Sequence, residues 1–223
     1  MVTARQLPGG DDTIVALATA AGRGAIAVIR LSGARAIDIA RALGASGLQP
    51  RRATRVALRQ PNGEPLDDAL ITWFAAPRSY TGDEVVEIAT HGGHVVPALV
   101  LAACVAAGAR PATPGEFTRR AVLNGRMDLV QAEAVADLID ARTTAMHRQA
   151  LSQLDGGLSR RLLALRDDVI HLEALIAYDI DFPEEDDGPI APARIKKAAE
   201  SLRDALRALM HTAPQAAVLR DGV

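Results

Sequence analysis

The sequence predicts an α+β domain over residues 1–120 followed by an all-α segment over residues 121–223. Three observations carry this. Up to about residue 107, short apolar runs separated by glycine-bearing connections alternate with helical stretches. Beyond Pro114-Gly115-Glu116-Phe117 the pattern turns helical, with apolar residues recurring every three or four positions. Aromatic residues make up only 3% of the 223, against 49% hydrophobic residues overall. A core of Ala, Leu, Val and Ile suits close helix packing better than an aromatic-rich β-sandwich.

Residues 13–18 and 25–31 read as two strands joined through Gly22-Arg23-Gly24. Ala34–Leu43 reads as a helix with Ser32 as its N-cap and Gly44 as its stop. Residues 54–59 and 68–75 are a further strand pair around Pro61-Asn62-Gly63. Val85–Thr90 is another strand. His91-Gly92-Gly93-His94 then opens a helix over Val95–Ala107. In the second segment Leu151, Leu154, Leu158, Leu162, Leu165, Val169, Leu172 and Ile176 make a sustained stripe, interrupted by Gly156-Gly157. A last helix covers Ala193–His211. Two or three helices are few for a bundle, so the all-α segment is expected to be incomplete.

The net charge is −2, so no global basic field points to nucleic acid. The charge is uneven. Residues 1–120 hold 13 Arg against 10 Asp and Glu, a balance of +3, and residues 121–223 sum to −5. A mildly basic first half fits a small anionic ligand better than a duplex. The lone Cys104 excludes an internal disulfide and points to a reducing, cytoplasmic setting; its apolar neighbours suggest a buried, inert thiol. No signal-peptide run is evident, and the longest apolar stretch, Val95 to Ala109, is too short to span a membrane.

Several residues invite chemistry. Arg30 sits in an apolar run, where a guanidinium is costly unless an anion meets it. It is either an edge-strand Arg facing water or an anion anchor. Glu87 either faces water by alternation or points into a cleft, where it would accept paired N–H groups from a heterocycle. His91 and His94 lack a third metal ligand nearby in sequence, and no metal set is assigned. The acidic run Asp179–Asp187 lacks the Gly and distal Glu of an EF-hand loop and reads as a solvated connection. Arg23, Arg51, Arg52 and Arg55 form a basic patch or simply solvated loops. No Walker Gly-Lys-Ser/Thr occurs anywhere.

Longer blocks resemble the MnmE (TrmE) family of tRNA-modification GTPases. They are Asp12–Ala16, Gly22–Ile26 and Ile29–Gly33; Ser79–Glu87 with His91-Gly92-Gly93; Pro114–Ala121; Leu123–Leu129; Gln131–Ile139; and Ile180-Asp181-Phe182-Pro183. The match runs in order along almost the whole chain. The resemblance implies a tetrahydrofolate-binding, aminomethyltransferase-like α+β domain that pairs into a homodimer. A helical domain into which a Ras-like G domain is inserted would follow. It implies 5-formyltetrahydrofolate as one-carbon source and an MnmG-type flavoprotein partner. It also implies modification of the wobble uridine U34 of tRNA (cmnm5U-type), and GTP hydrolysis with Mg and potassium in the G domain. By the same resemblance, the folate-contact positions fall on Arg30, Glu87 and Arg126. The family often has Lys where Arg126 stands, which keeps the charge and changes the donor geometry. The P-loop, the later helices and the functional C-terminal cysteine are not found here, so the chain is expected not to hydrolyse GTP alone. The alternatives are a homodimeric interaction scaffold without a small-molecule site, and a stand-alone folate-dependent aminomethyltransferase.

Overall fold

The computed structural model describes residues 12–60, 62–181 and 190–221, with side chains as far as residue 212. Pro61, the Phe182-Pro183 pair and the acidic run from residue 182 onward lie outside the described residues. The chain divides into two units, Met1–Met127 and Asp128–Val223, and the α+β and helical characters expected from sequence fall to them in that order.

In the first unit, β1 (Ile14–Leu17) and β2 (Ile26–Ser32) form an antiparallel pair, followed by α1 (Ala36–Ala42). Next come the hairpin strands β3 (Thr54–Arg59) and β4 (Pro65–Phe74), then β5 (Val85–His91) and α2 (Val96–Ala106). The short β6 (Arg110–Pro111) and α3 (Glu116–Leu123) close the unit. The six strands make one sheet in the order β3-β4-β5-β2-β1-β6, antiparallel except where β6 joins β1.

Register decides what each face carries. Ile71, Ile88 and Ile29 lie opposite one another across β4, β5 and β2. All three are buried in a core completed by Ile39, Leu43, Val100 and Cys104 from α1, α2 and the turn after α1. One residue along, the row Thr72, Glu87, Arg30 and Ala16 must point to the other face, because side chains alternate along a strand. The polar residues inside apolar runs thus lie together on the face away from the helices.

Ser32 does not cap α1. It is the last residue of β2, and its Oγ meets Thr81 Oγ1 at 2.7 Å. The helix starts later, behind Arg35, whose backbone N–H donates to Thr13 Oγ1 at 3.0 Å. The division between units also falls later than 120, because α3 is tied back into the sheet by ion pairs, detailed below.

The second unit holds α4 (Leu129–Asp140), α5 (Thr144–Leu154), α6 (Gly157–Asp181) and α7 (Pro192–Asp221). Asp128 and Gln131 form a reciprocal capping box at the start of α4, and Thr143 caps α5. Gln131 Nε2 also donates to the Leu154 carbonyl at 2.8 Å, fastening α4 to the end of α5. The apolar stripe from Leu151 to Ile176 is therefore not one helix face. It breaks at Gly156, whose φ of 79° is left-handed, and continues on α6. Among the described residues, no helix is long and apolar enough to cross a membrane.

Candidate functional site

The site grows from the polar row of the sheet. Arg30 and Glu87 are directly opposite on β2 and β5. Arg30 Nε and Nη2 both donate to Glu87 Oε1, at 2.9 and 2.7 Å. β2 lies between β5 and β1, so Arg30 is on an interior strand and not an edge. Both side chains are a little over one quarter exposed, at 27% and 28%. Among the described residues Glu87 Oε2 accepts no hydrogen bond. A carboxylate expected to take two parallel N–H groups thus has one oxygen committed and one open.

Two aromatic rings flank the guanidinium, with Tyr80 centred 5.2 Å from Arg30 Cζ and Phe117 5.8 Å away. Such contacts favour a cation over the ring face. Tyr80 comes from the loop between β4 and β5, and Phe117 from α3. Sequence reasoning missed both as site residues. The available signal was their scarcity: they are two of the chain's six aromatic residues, and both sit in the motif blocks.

The loop carrying Tyr80 is clasped by α3 and its end. Tyr80 Oη lies 2.9 Å from Thr118 Oγ1, and Asn124 Nδ2 donates to the Thr81 carbonyl at 2.7 Å. Gly82 has a φ of 87°, and a Cβ there would lie 3.1 Å from Asn124 Cβ and 3.3 Å from Arg126 Cγ. Glycine is needed both for the backbone angle and for this close approach. Arg126 is therefore beside the loop at Gly82, which is two residues along from Tyr80, and is exposed. The structure joins Arg30 to Glu87 and brings Arg126 to the neighbouring loop, with no hydrogen bond from Arg126 to either.

An ion-pair network holds α3 in place. Arg110 Nε donates to Asp12 at 2.6 Å, and Arg110 Nη2 to Glu116 at 2.6 Å. Arg120 Nη2 donates to Asp12 at 2.5 Å and Arg120 Nη1 to the Asp12 carbonyl at 2.9 Å. Glu116 also accepts from the Thr113 N–H at 2.8 Å, where the helix begins. The Arg110 hydrogen bond holds the Glu116 carboxyl down to about 2, and Arg110 likewise lowers Asp12. The same bonds raise Arg110 further above its usual range.

His91 ends β5 and does not open α2. Its N–H and Nδ1 lie 2.7 Å from the two oxygens of Asp67. Among the described residues no group of three or more His, Cys, Asp or Glu is placed to hold a metal ion. Burial pushes the Cys104 thiol up to about 12, as suits an inert core side chain.

Comparison with known proteins follows the same division. A family model described as "GTP-binding protein TrmE N-terminus" matches residues 13–126, and one described as "MnmE helical domain" matches residues 129–223. The chain is similar to the tRNA modification GTPase MnmE of Azoarcus sp. (strain BH72), 46% identical over 220 residues, covering 99% of this chain and 49% of that protein. It is 46% identical over 217 residues to the protein of the same name from Akkermansia muciniphila, covering 96% of this chain and 48% of that one. With that of Neisseria meningitidis serogroup B it shares 44% over 211 residues, 95% of this chain and 47% of the relative. The chain spans about half the length of these curated relatives. With both of its units matched in order, the chain belongs to the MnmE (TrmE) family and carries that family's N-terminal and helical regions.

Proposed function

We propose that this chain is the folate-binding, self-pairing part of a tRNA-modification GTPase. In this reading it holds 5-formyltetrahydrofolate as a one-carbon source for the wobble uridine U34. The observation that carries the reading is the Arg30–Glu87 pair, set on the non-core face of the sheet between the Tyr80 and Phe117 rings. The donor set fits a reduced pterin with an acidic tail. Glu87 offers a carboxylate oxygen to ring N–H groups, Arg30 and Arg126 offer donors to carbonyl and carboxylate oxygens, and the rings offer apolar walls. When bound, the folate supplies the formyl carbon; the protein's own part is to bind and orient it. U34 chemistry with an MnmG-type flavoprotein, and GTP hydrolysis with Mg and potassium, belong to the whole enzyme and its G domain. Homodimerisation and a cytoplasmic location complete the proposal.

Calorimetric titration of the chain with 5-formyltetrahydrofolate tests it. Saturable binding is expected, weakened at least tenfold by Glu87→Gln and by Arg30→Ala. Absence of saturable binding by the intact chain overturns the reading. It would favour the interaction scaffold, which draws support from the apolar surface of Val169, Leu172, Ile176 and Ile180 on α6. A phosphate-release assay should detect no GTP turnover, because the sequence has no Gly-Lys-Ser/Thr loop.

A further inference from the structure

The outer edge of the sheet carries a second concentration of charge that the folate reading does not use. No Asp or Glu occurs between Asp38 and Glu64, a stretch that holds Arg51, Arg52, Arg55 and Arg59. These four lie on β3 and the turn leading into it, and β3 is the edge strand. All four are exposed, as is Arg78.

How these guanidiniums are held sets them apart. Arg55 meets a carboxylate, Asp68. The other three are held by neutral oxygens: Arg51 Nη2 donates to the Arg78 carbonyl at 2.6 Å, Arg52 Nη1 to Gln49 Oε1 at 3.1 Å, and Arg59 Nη1 to the Gly63 carbonyl at 3.0 Å. A neutral acceptor orients a guanidinium without cancelling its charge. Elsewhere in the unit Arg30, Arg41, Arg110 and Arg120 meet carboxylates, and Arg35 meets the Ala107 carbonyl. Arg51 is further fixed by a left-handed backbone, φ 61°, uncommon for a residue with a side chain, and by the Phe74 ring 5.8 Å from its Cζ. Beside it opens a polar hollow of about 390 Å³ whose lining includes Gln49, Arg52, Thr54 and Arg55. Of the acids on β4 and the adjoining loops, Asp68 engages Arg55, Asp67 engages His91, and Glu84 engages Trp73 Nε1 and the Ala76 N–H, while Glu64, next to Gly63, is exposed.

Pre-positioned cations lose little side-chain freedom on binding. An extended strand rises about 3.3 Å per residue, so the length of β3, about 17 Å from Thr54 to Arg59, separates the Arg51-Arg52 turn from Arg59. That spacing presents charge along a line, which matches a repeating linear anion better than a compact one. Guanidinium forks match phosphate oxygens in geometry. We propose that the β3 edge, Arg51, Arg52 and Arg59 with Arg78 beside them, is a docking rail for the phosphate backbone of tRNA. The choice of tRNA rests on the tRNA-modification reading; the rail shares no residue with the folate site.

Fluorescence anisotropy of a labelled, unmodified tRNA transcript with the full chain, across a series of KCl concentrations, tests this. The Arg51→Gln/Arg52→Gln/Arg59→Gln variant should bind at least tenfold more weakly. Its slope of log affinity against log salt should be shallower by about 2, as loss of two to three phosphate contacts demands. Arg161→Gln/Arg194→Gln/Arg207→Gln, which removes equal charge from exposed positions of α6 and α7, should stay within twofold. Arg52→Lys/Arg59→Lys should keep the salt slope. If the triple variant does not fold, Arg52→Gln and Arg59→Gln singly carry the test, each expected to cost about threefold. No saturable binding by the wild type, or equal losses in the two triple variants, overturns the proposal. So does displacement of the tRNA by polyglutamate at equal charge, which would mark an acidic protein as the partner. Unchanged tRNA affinity with new self-association would show that the arginines only guard an open sheet edge. The triple variant should bind 5-formyltetrahydrofolate as the wild type does, so failure of the rail and failure of the folate reading are separable.

Discussion

The two units use the same aliphatic alphabet and bury it very differently. In the α+β unit, Ile29, Ile71 and Ile88 are wholly buried between sheet and helices, and charged residues of α3 are matched by partners on β6 and at Asp12. In the helical unit, the buried hydrophobic side chains among the described residues are Ala134, Ala150 and Leu175, while Leu162, Val169, Ile170, Ile176 and Ile180 stand at least 41% exposed. A sheet with helices on one face closes a core from local segments. A few helices carrying a long apolar stripe do not, because each helix needs neighbours on more than one side. The lesson is that the first unit is built to stand on its own packing, and the second is built to be packed against.

The largest effect should come from the core of the first unit. Ile29→Ala removes a fully buried side chain between β5 and β1, and should cost about 3–4 kcal/mol in urea denaturation. Ile176→Ala on α6 should cost under about 0.5 kcal/mol. Similar losses for the two would break the comparison. Next, Arg120→Leu strips Asp12 and Glu116 of one of their two guanidiniums, leaving Arg110 alone, and should cost about 2 kcal/mol. A cost below 1 kcal/mol would mean the network does not hold α3. The same network sets a pH dependence. Because the Glu116 carboxyl is depressed from 4.5 to about 2, its contribution is fully present above pH ~4.5 and disappears as pH falls toward about 2. Acid titration of the wild type should show this loss, and Glu116→Gln should flatten it. Within the α+β unit the smallest effect is that of Asn124→Ala, which should cost about 1 kcal/mol by freeing the Thr81 carbonyl and, on the proposed folate reading, should weaken 5-formyltetrahydrofolate binding more than stability.

Much of the fold was legible from the chain. The strand and helix segments of the first unit followed from apolar runs and turn residues, and the change to all-helix followed from apolar residues recurring every three or four positions. What sequence did not yield was long-range. Ser32 looked like a cap because it precedes a helical stretch, but its hydroxyl is taken by Thr81, far along the chain. The boundary near 120 ignored Asp12, whose side chain reaches both Arg110 and Arg120. In the candidate site, Arg30 and Glu87 announced themselves as charges within apolar runs, and their pairing needed only strand register. Tyr80 and Phe117 were invisible as site residues, because nothing local marks a ring that meets a guanidinium across the fold.

Trp73 is the chain's single tryptophan, and its indole N–H is held by Glu84 at 2.5 Å, at the foot of the loop that carries Tyr80. All tryptophan emission therefore originates from one spot, at the junction of β4 with that loop. A shift in its colour or intensity on adding a ligand reads the loop directly, with no label attached and no contribution from the helical unit.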